Sequence, residues 1–129
     1  MLLFKILCTI AIMAVSASAA LTSGYANTCN TCKIQDDPVE GREPMLFCVC
    51  GDGHGSYPPA SLNMNTCFAN DGGFLVYRRD GNFAYTCRNY RFDHDSVMII
   101  TCANGKGSWD DNHVDLNDYI GNDQGTLYC

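Results

Sequence analysis

After its first 20 residues this 129-residue sequence holds no apolar run long enough to cross a bilayer, a span of about 20 residues. It has no Ser/His/Asp order, no nucleophile elbow and no phosphate-binding glycine motif. Nothing in it invites acyl transfer or nucleotide chemistry, so it reads as a non-enzymatic chain without a cofactor. Positive charge is also scarce. Against 14 Asp and Glu stand 8 Lys and Arg, a balance that disfavours nucleic acid and anionic membrane surfaces as partners.

What is present begins with a leader. Met1 to Ala20 carries one charged residue, Lys5, then an apolar run through Val15 and the small-residue stretch Ser16-Ala-Ser-Ala-Ala20. This is the pattern of a secretory signal peptide cleaved after Ala19 or Ala20, and the expected location is extracellular. Cleavage removes Lys5 and one of the 9 cysteines, Cys8, leaving eight cysteines and a net charge of −7. An even count in a short secreted chain implies a disulfide framework. Cys29-x-x-Cys32 followed by Cys48-x-Cys50 has the outward spacing of a zinc set, but an oxidising compartment favours disulfides, and no metal is expected.

The mature sequence is doubled. Shifted by 52 positions, the distance from Cys50 to Cys102, it lays Cys50, Gly53, Gly55, Ser56, Asn65, Asn70, Asp71, Gly73 and Leu75 onto Cys102, Gly105, Gly107, Ser108, Asn117, Asn122, Asp123, Gly125 and Leu127. Tyr57 falls on Trp109, and Met64 on Leu116. We expect one domain over 21–129, with repeat one at about 24–77 and repeat two at about 78–129, because each repeat has too few apolar residues to bury a core alone. The repeat pairs Cys29 with Cys50 and Cys87 with Cys102. Cys32–Cys48 and Cys67–Cys129 complete the set most simply, with other connectivities open.

Short β-rich runs bounded by Gly, Asn or Asp predict strands at Met45 to Cys50, Phe74 to Tyr77, Phe83 to Thr86, Val97 to Cys102 and Thr126 to Tyr128. Turns are expected at Asn70 to Gly73, Asp80 to Asn82, Asn104-Gly105 and Asn122 to Gly125. Leu116, Tyr119 and Ile120 behind Asp115, and Met64, Cys67 and Phe68 behind Asn63, predict one capped helical or 3-10 turn per repeat. Gln35 to Pro44, with two prolines and five charges, reads as an exposed loop. The fold class is all-β.

Asp93-His94-Asp95 and Asp110-Asp111-Asn112-His113-Val114-Asp115 read as solvated loops, the second lacking the glycine and terminal Glu of an EF-hand. The remaining polar loop residues are Asn27, Thr28, Asn70, Asp71, Asn82, Tyr85, Thr86, Asn104, Asn122, Asp123 and Gln124. They combine paired donors and acceptors with aromatic faces, chemistry suited to sugar hydroxyls.

Three stretches, Asn82-Phe-Ala-Tyr-Thr-Cys-Arg-Asn89, Asp115-Leu-Asn117 and Ile120-Gly-Asn-Asp-Gln-Gly-Thr-Leu127, join with the doubling and the enclosed cysteine pairs to resemble the cyanovirin-N homology family of lectins from about Gly24 to Tyr128. The resemblance implies a pseudo-two-fold all-β fold whose repeats exchange strands. It further implies a secreted lectin for oligosaccharides, notably mannose-containing glycans, acting as a monomer or domain-swapped dimer through two shallow sites. One site would comprise Gly24, Asn27, Thr28, Gly51, Asp52, Gly53, Asn122, Asp123 and Gln124. The other would comprise Asn70, Asp71, Gly72, Asn82, Tyr85, Thr86, Ala103, Asn104 and Gly105. The sequence departs from the family pattern at Gly51, Ala69 and Gly105, where charged residues are expected, and by one extra residue near Arg78-Arg79-Asp80. The first site is expected to be the more competent, since Asn122-Asp123-Gln124 sets three polar groups side by side. The same residues also suit a second class, a secreted disulfide-rich interaction or effector protein that keeps the fold without sugar binding.

Overall fold

The computed structural model describes residues 23–36 and 43–129. The expected signal peptide at 1–20 and residues 37–42 of the expected loop lie outside the described residues. Ten strands form: β1 Cys29–Asp36, β2 Pro44–Cys50, β3 Pro59–Asn63, β4 Phe68–Asp71, β5 Phe74–Tyr77, β6 Cys87–His94, β7 Val97–Ala103, β8 Trp109–Asp115, β9 Gly121–Asp123 and β10 Thr126–Tyr128. Four 3-10 turns, Tyr25–Asn27, Met64–Thr66, Phe83–Tyr85 and Leu116–Asp118, punctuate them. The order of turn, three strands, turn and hairpin occurs twice, as the sequence repeat requires.

The strands build two antiparallel three-stranded sheets, β1-β2-β3 and β6-β7-β8, and two hairpins, β4-β5 and β9-β10. Alternation along β2 and β7 buries every second side chain, the pattern of a sheet with one wet face. Leu46, Cys48 and Cys50 meet Met98, Ile100 and Cys102 in a core shared with Tyr25, Met64, Phe68, Phe83, Leu116, Ile120 and Leu127. Cys29 lies opposite Cys50 and Cys87 opposite Cys102 in the ladders. The bridges are Cys29–Cys50, Cys32–Cys48, Cys67–Cys129 and Cys87–Cys102.

Both predicted caps form, with the Asn63 and Asp115 side chains accepting from the N–H groups of Asn65 and Asn117 at 3.0 Å each. Several expectations are corrected. Gln35 and Asp36 end β1 and Pro44 opens β2 rather than lying in a loop, and Asp93 and His94 end β6, leaving the turn to Asp95 and Ser96. Phe83 to Thr86 is not a strand: its first three residues form a 3-10 turn, because Asn65 holds the Ala84 N–H with its side chain at 3.0 Å and the Asn82 N–H with its carbonyl. Asp110 to Asp115 is not a loop but most of β8, the edge of its sheet. There its carboxylates are tolerated because alternate residues face water, and edge charges discourage pairing with other chains.

The hairpins are exchanged. In repeat one, β5 lies against β8 of repeat two, where the Leu75 N–H donates to the Asn112 side chain at 3.0 Å and the Asn112 amide donates to the Gly73 carbonyl at 2.8 Å. In repeat two, Asn117 and Ile120 hold the turn of repeat one through bonds from Gly24 and Ala26, and from Tyr25. Each end of the molecule is therefore assembled from both repeats.

Candidate functional site

At each end one asparagine fastens the exchanged hairpin. The Asn122 amide donates to Thr28 Oγ1 at 2.9 Å and to the Gly51 carbonyl at 3.0 Å, while its oxygen accepts the Gly125 N–H at 2.8 Å. At the opposite end the Asn70 amide donates to Thr86 Oγ1 at 3.0 Å and the Ala103 carbonyl at 2.9 Å, and its oxygen accepts the Gly73 N–H at 2.8 Å. Both turn glycines have positive φ, 95° and 99°. A Cβ on Gly73 would lie 2.9 Å from the Asn104 Cβ, so only glycine lets that hairpin close on the opposite repeat.

A second pair of polar groups shapes the loops beneath. One Asp52 oxygen accepts the His54 and Ser56 N–H groups at 2.7 and 3.2 Å, and the Asn104 oxygen accepts those of Lys106 and Ser108 at 2.8 and 3.2 Å. These are Asx turns, which hold Gly53 and Gly105 in the left-handed region. Of the residues expected to meet a ligand, Asn70, Asn104, Asn122 and one oxygen of Asp52 are thus bound to their own backbone.

What these latches leave open differs between the ends. At the first, Asn27 and Thr28 share a shallow depression of about 250 Å³ with Gly51, Gly53 and Tyr57, whose ring is 59% exposed. Asp123 and Gln124 are exposed at the hairpin tip but do not line it. At the second end, Tyr85, 76% exposed, and Thr86 open onto a depression of about 480 Å³ that also takes in Arg88, Tyr90 and Trp109. Asp71 and Asn82 lie outside it. Asn82 instead takes φ 51° and bridges to Ala69.

The CVNH domain model matches residues 18–128. The chain belongs to the CVNH family. Among solved structures, the CVNH protein of Gibberella zeae is 24% identical with a TM-score of 0.69, the match covering 81% of this chain and 95% of that one. A MoCVNH3 variant in complex with (N-GlcNAc)4 is 18% identical with a TM-score of 0.68, over 82% and 96% of the two chains. Microvirin in complex with mannobiose is 25% identical with a TM-score of 0.63, over 82% and 97%.

Two of the departures from the family pattern lie at the second end. Ala69 is buried in β4 and Gly105 sits at φ 75° in the Asx-turn loop, so neither offers a charge to the second depression. Sequence reasoning did not single out Tyr57, Trp109 and Arg88, which line the two depressions. The first two carried a signal, since the repeat aligns them, but a matched aromatic pair reads equally well as core until its exposure is known. Tyr25, by contrast, is wholly buried and its hydroxyl has no hydrogen-bond partner among the described residues; burial, then the nearby Asp115 charge, pushes its phenol well above the usual range.

Proposed function

We propose that this protein is a secreted, non-enzymatic lectin that takes oligosaccharides, mannose-containing ones among them, in the two latched depressions, as a monomer or domain-swapped dimer. The observation that carries the reading is the pair of asparagine latches. Each fixes a hydroxyl, Thr28 or Thr86, beside an exposed aromatic ring, Tyr57 or Tyr85 and Trp109, on a surface held by backbone hydrogen bonds. A rigid rim of hydroxyl and ring is what a shallow sugar site needs, because little entropy is lost on binding. Family membership and the sugar complexes of microvirin and the MoCVNH3 variant support it. The leader pattern at 1–20 and the four disulfides support secretion.

Titration of the oxidised mature chain with a panel of oligosaccharides, followed by amide shifts, tests the reading. The expected result is perturbation at Thr28 and Tyr57, at Thr86 and Trp109, or at both ends. Tyr57→Ala combined with Trp109→Ala should weaken binding by about tenfold or more, since each stacked ring contributes about 0.5–1.5 kcal/mol beyond its area. The inward turn of Asn70, Asn104 and Asn122 favours a second reading, an interaction or effector protein with no sugar site. A blank panel with both ends unperturbed would establish that reading instead.

A further inference from the structure

The second depression holds a cation that the first lacks. Arg88 lies over the Trp109 ring with its guanidinium carbon 3.8 Å from the ring centroid. At the matching place after Cys29 the first repeat has Asn30, and its matching ring is Tyr57. Among the described residues the one ion pair is His94–Asp93, and Arg88 donates no side-chain hydrogen bond. Asp36, which lines the same depression, accepts from the Tyr90 hydroxyl, and Asp111, across the sheet, accepts from Thr101 Oγ1 at 2.7 Å; neither forms an ion pair with Arg88. None of the described Lys and Arg side chains forms an ion pair, and Arg88 both stacks on a ring and lines the same depression as that ring.

We infer that this end selects glycans bearing a carboxylate, with Arg88 pairing to the acidic sugar and Tyr85 and Trp109 supporting the adjoining rings; this rests on the lectin reading above. The contact with the indole uses the π face of the guanidinium and leaves its N–H donors unengaged. A planar fork of that kind binds a carboxylate through two parallel charge-assisted hydrogen bonds, which a neutral hydroxymethyl group cannot reproduce. The ring beneath also restricts the arginine, so less side-chain freedom is lost when the acid arrives. The first end, with Asn30 and Tyr57, discriminates only among neutral hydroxyl patterns. One chain thus carries a neutral and an acidic subsite on one rigid body.

The test compares a mannuronic acid tetrasaccharide with its carboxyl-reduced neutral counterpart, titrated into the oxidised mature chain at about 50 mM and 300 mM salt. Supporting the inference would be roughly tenfold tighter binding of the acid at low salt, shrinking at high salt, with shifts at the Arg88 side chain and the Trp109 indole. Arg88→Gln should abolish the preference while its amide spectrum elsewhere stays that of the folded protein, and Arg88→Lys should restore only part of it. Equal affinities for the two sugars overturn the acidic subsite and leave the lectin reading standing. A preference that survives Arg88→Gln also overturns it, assigning the effect to diffuse charge. If neither sugar binds, the inference falls, and a blank neutral panel beside that result removes the lectin reading as well.

Discussion

Replacing Asn122 by alanine removes a side chain that joins three segments far apart in sequence. Its amide bonds Thr28 and Gly51, 94 and 71 positions away, and its oxygen holds the turn at Gly125. Three neutral hydrogen bonds at about 0.5–1.5 kcal/mol each set an upper range, and partial exposure of the group lowers it, because water replaces some partners. The half-buried Gly51 carbonyl loses its Asn122 donor, which argues against the lowest values. We therefore expect a loss of about 2 kcal/mol and a fall in Tm of roughly 10 °C. Asn70→Ala should match it, since the same three bonds recur, and the double variant should lose the sum, because the two latches share no partner. Asn122→Asp separates hydrogen bonding from size. It keeps an acceptor for the Gly125 N–H but sets a carboxylate oxygen against the Gly51 carbonyl, so it should be no better than alanine. The assay is thermal and urea unfolding of the oxidised chain, with amide shifts at Thr28 and Tyr57 reporting the local site. A change below about 0.5 kcal/mol for Asn122→Ala, or tolerance of aspartate, would refute the latch as the source of the site's rigidity.

Tyr25→Phe should stabilise the protein by about 1 kcal/mol at neutral pH, since a buried unpartnered hydroxyl costs about 1–3 kcal/mol and the other repeat has Phe83 in the same place. The folded phenol titrates above the unfolded value of 10.0, so wild-type stability should hold below pH 10 and fall above it by up to about 1.4 kcal/mol per pH unit. The variant lacks that component in a pH series of urea midpoints, and a destabilised variant would show that the hydroxyl has a partner. Removing Cys67–Cys129, which closes 62 positions, should cost about 4 kcal/mol by loop entropy, against about 3 for Cys32–Cys48 at 16 positions. Denaturant midpoints in the reverse order would contradict the entropic account. A fragment ending at Tyr77 should give a collapsed, undispersed amide spectrum, because β5 finds its partner Asn112 only in repeat two.

The sequence alone determined everything set by neighbours or by the repeat: the all-β class, the two capped turns at Asn63 and Asp115, the hairpin turns, and the bridges Cys29–Cys50 and Cys87–Cys102. These depend on local backbone preference and on a fixed offset, both visible in a string of letters. Only the tertiary structure decided which polar groups turn inward. Asn70 and Asn122 read as ligand contacts because an exposed turn asparagine and a half-buried latch are the same residue in the same local setting, and what separates them is a hydroxyl 16 or 94 positions away. Phe83 to Thr86 has the composition of a strand, yet Asn65, 19 positions back, holds the Ala84 N–H and winds the segment into a turn. Trp109 and Arg88 gain their meaning in the same way. Strand β8 must lie beside β7 and β7 beside β6 before the ring and the cation can meet, and cross-strand pairing is a property of register rather than of either sequence segment.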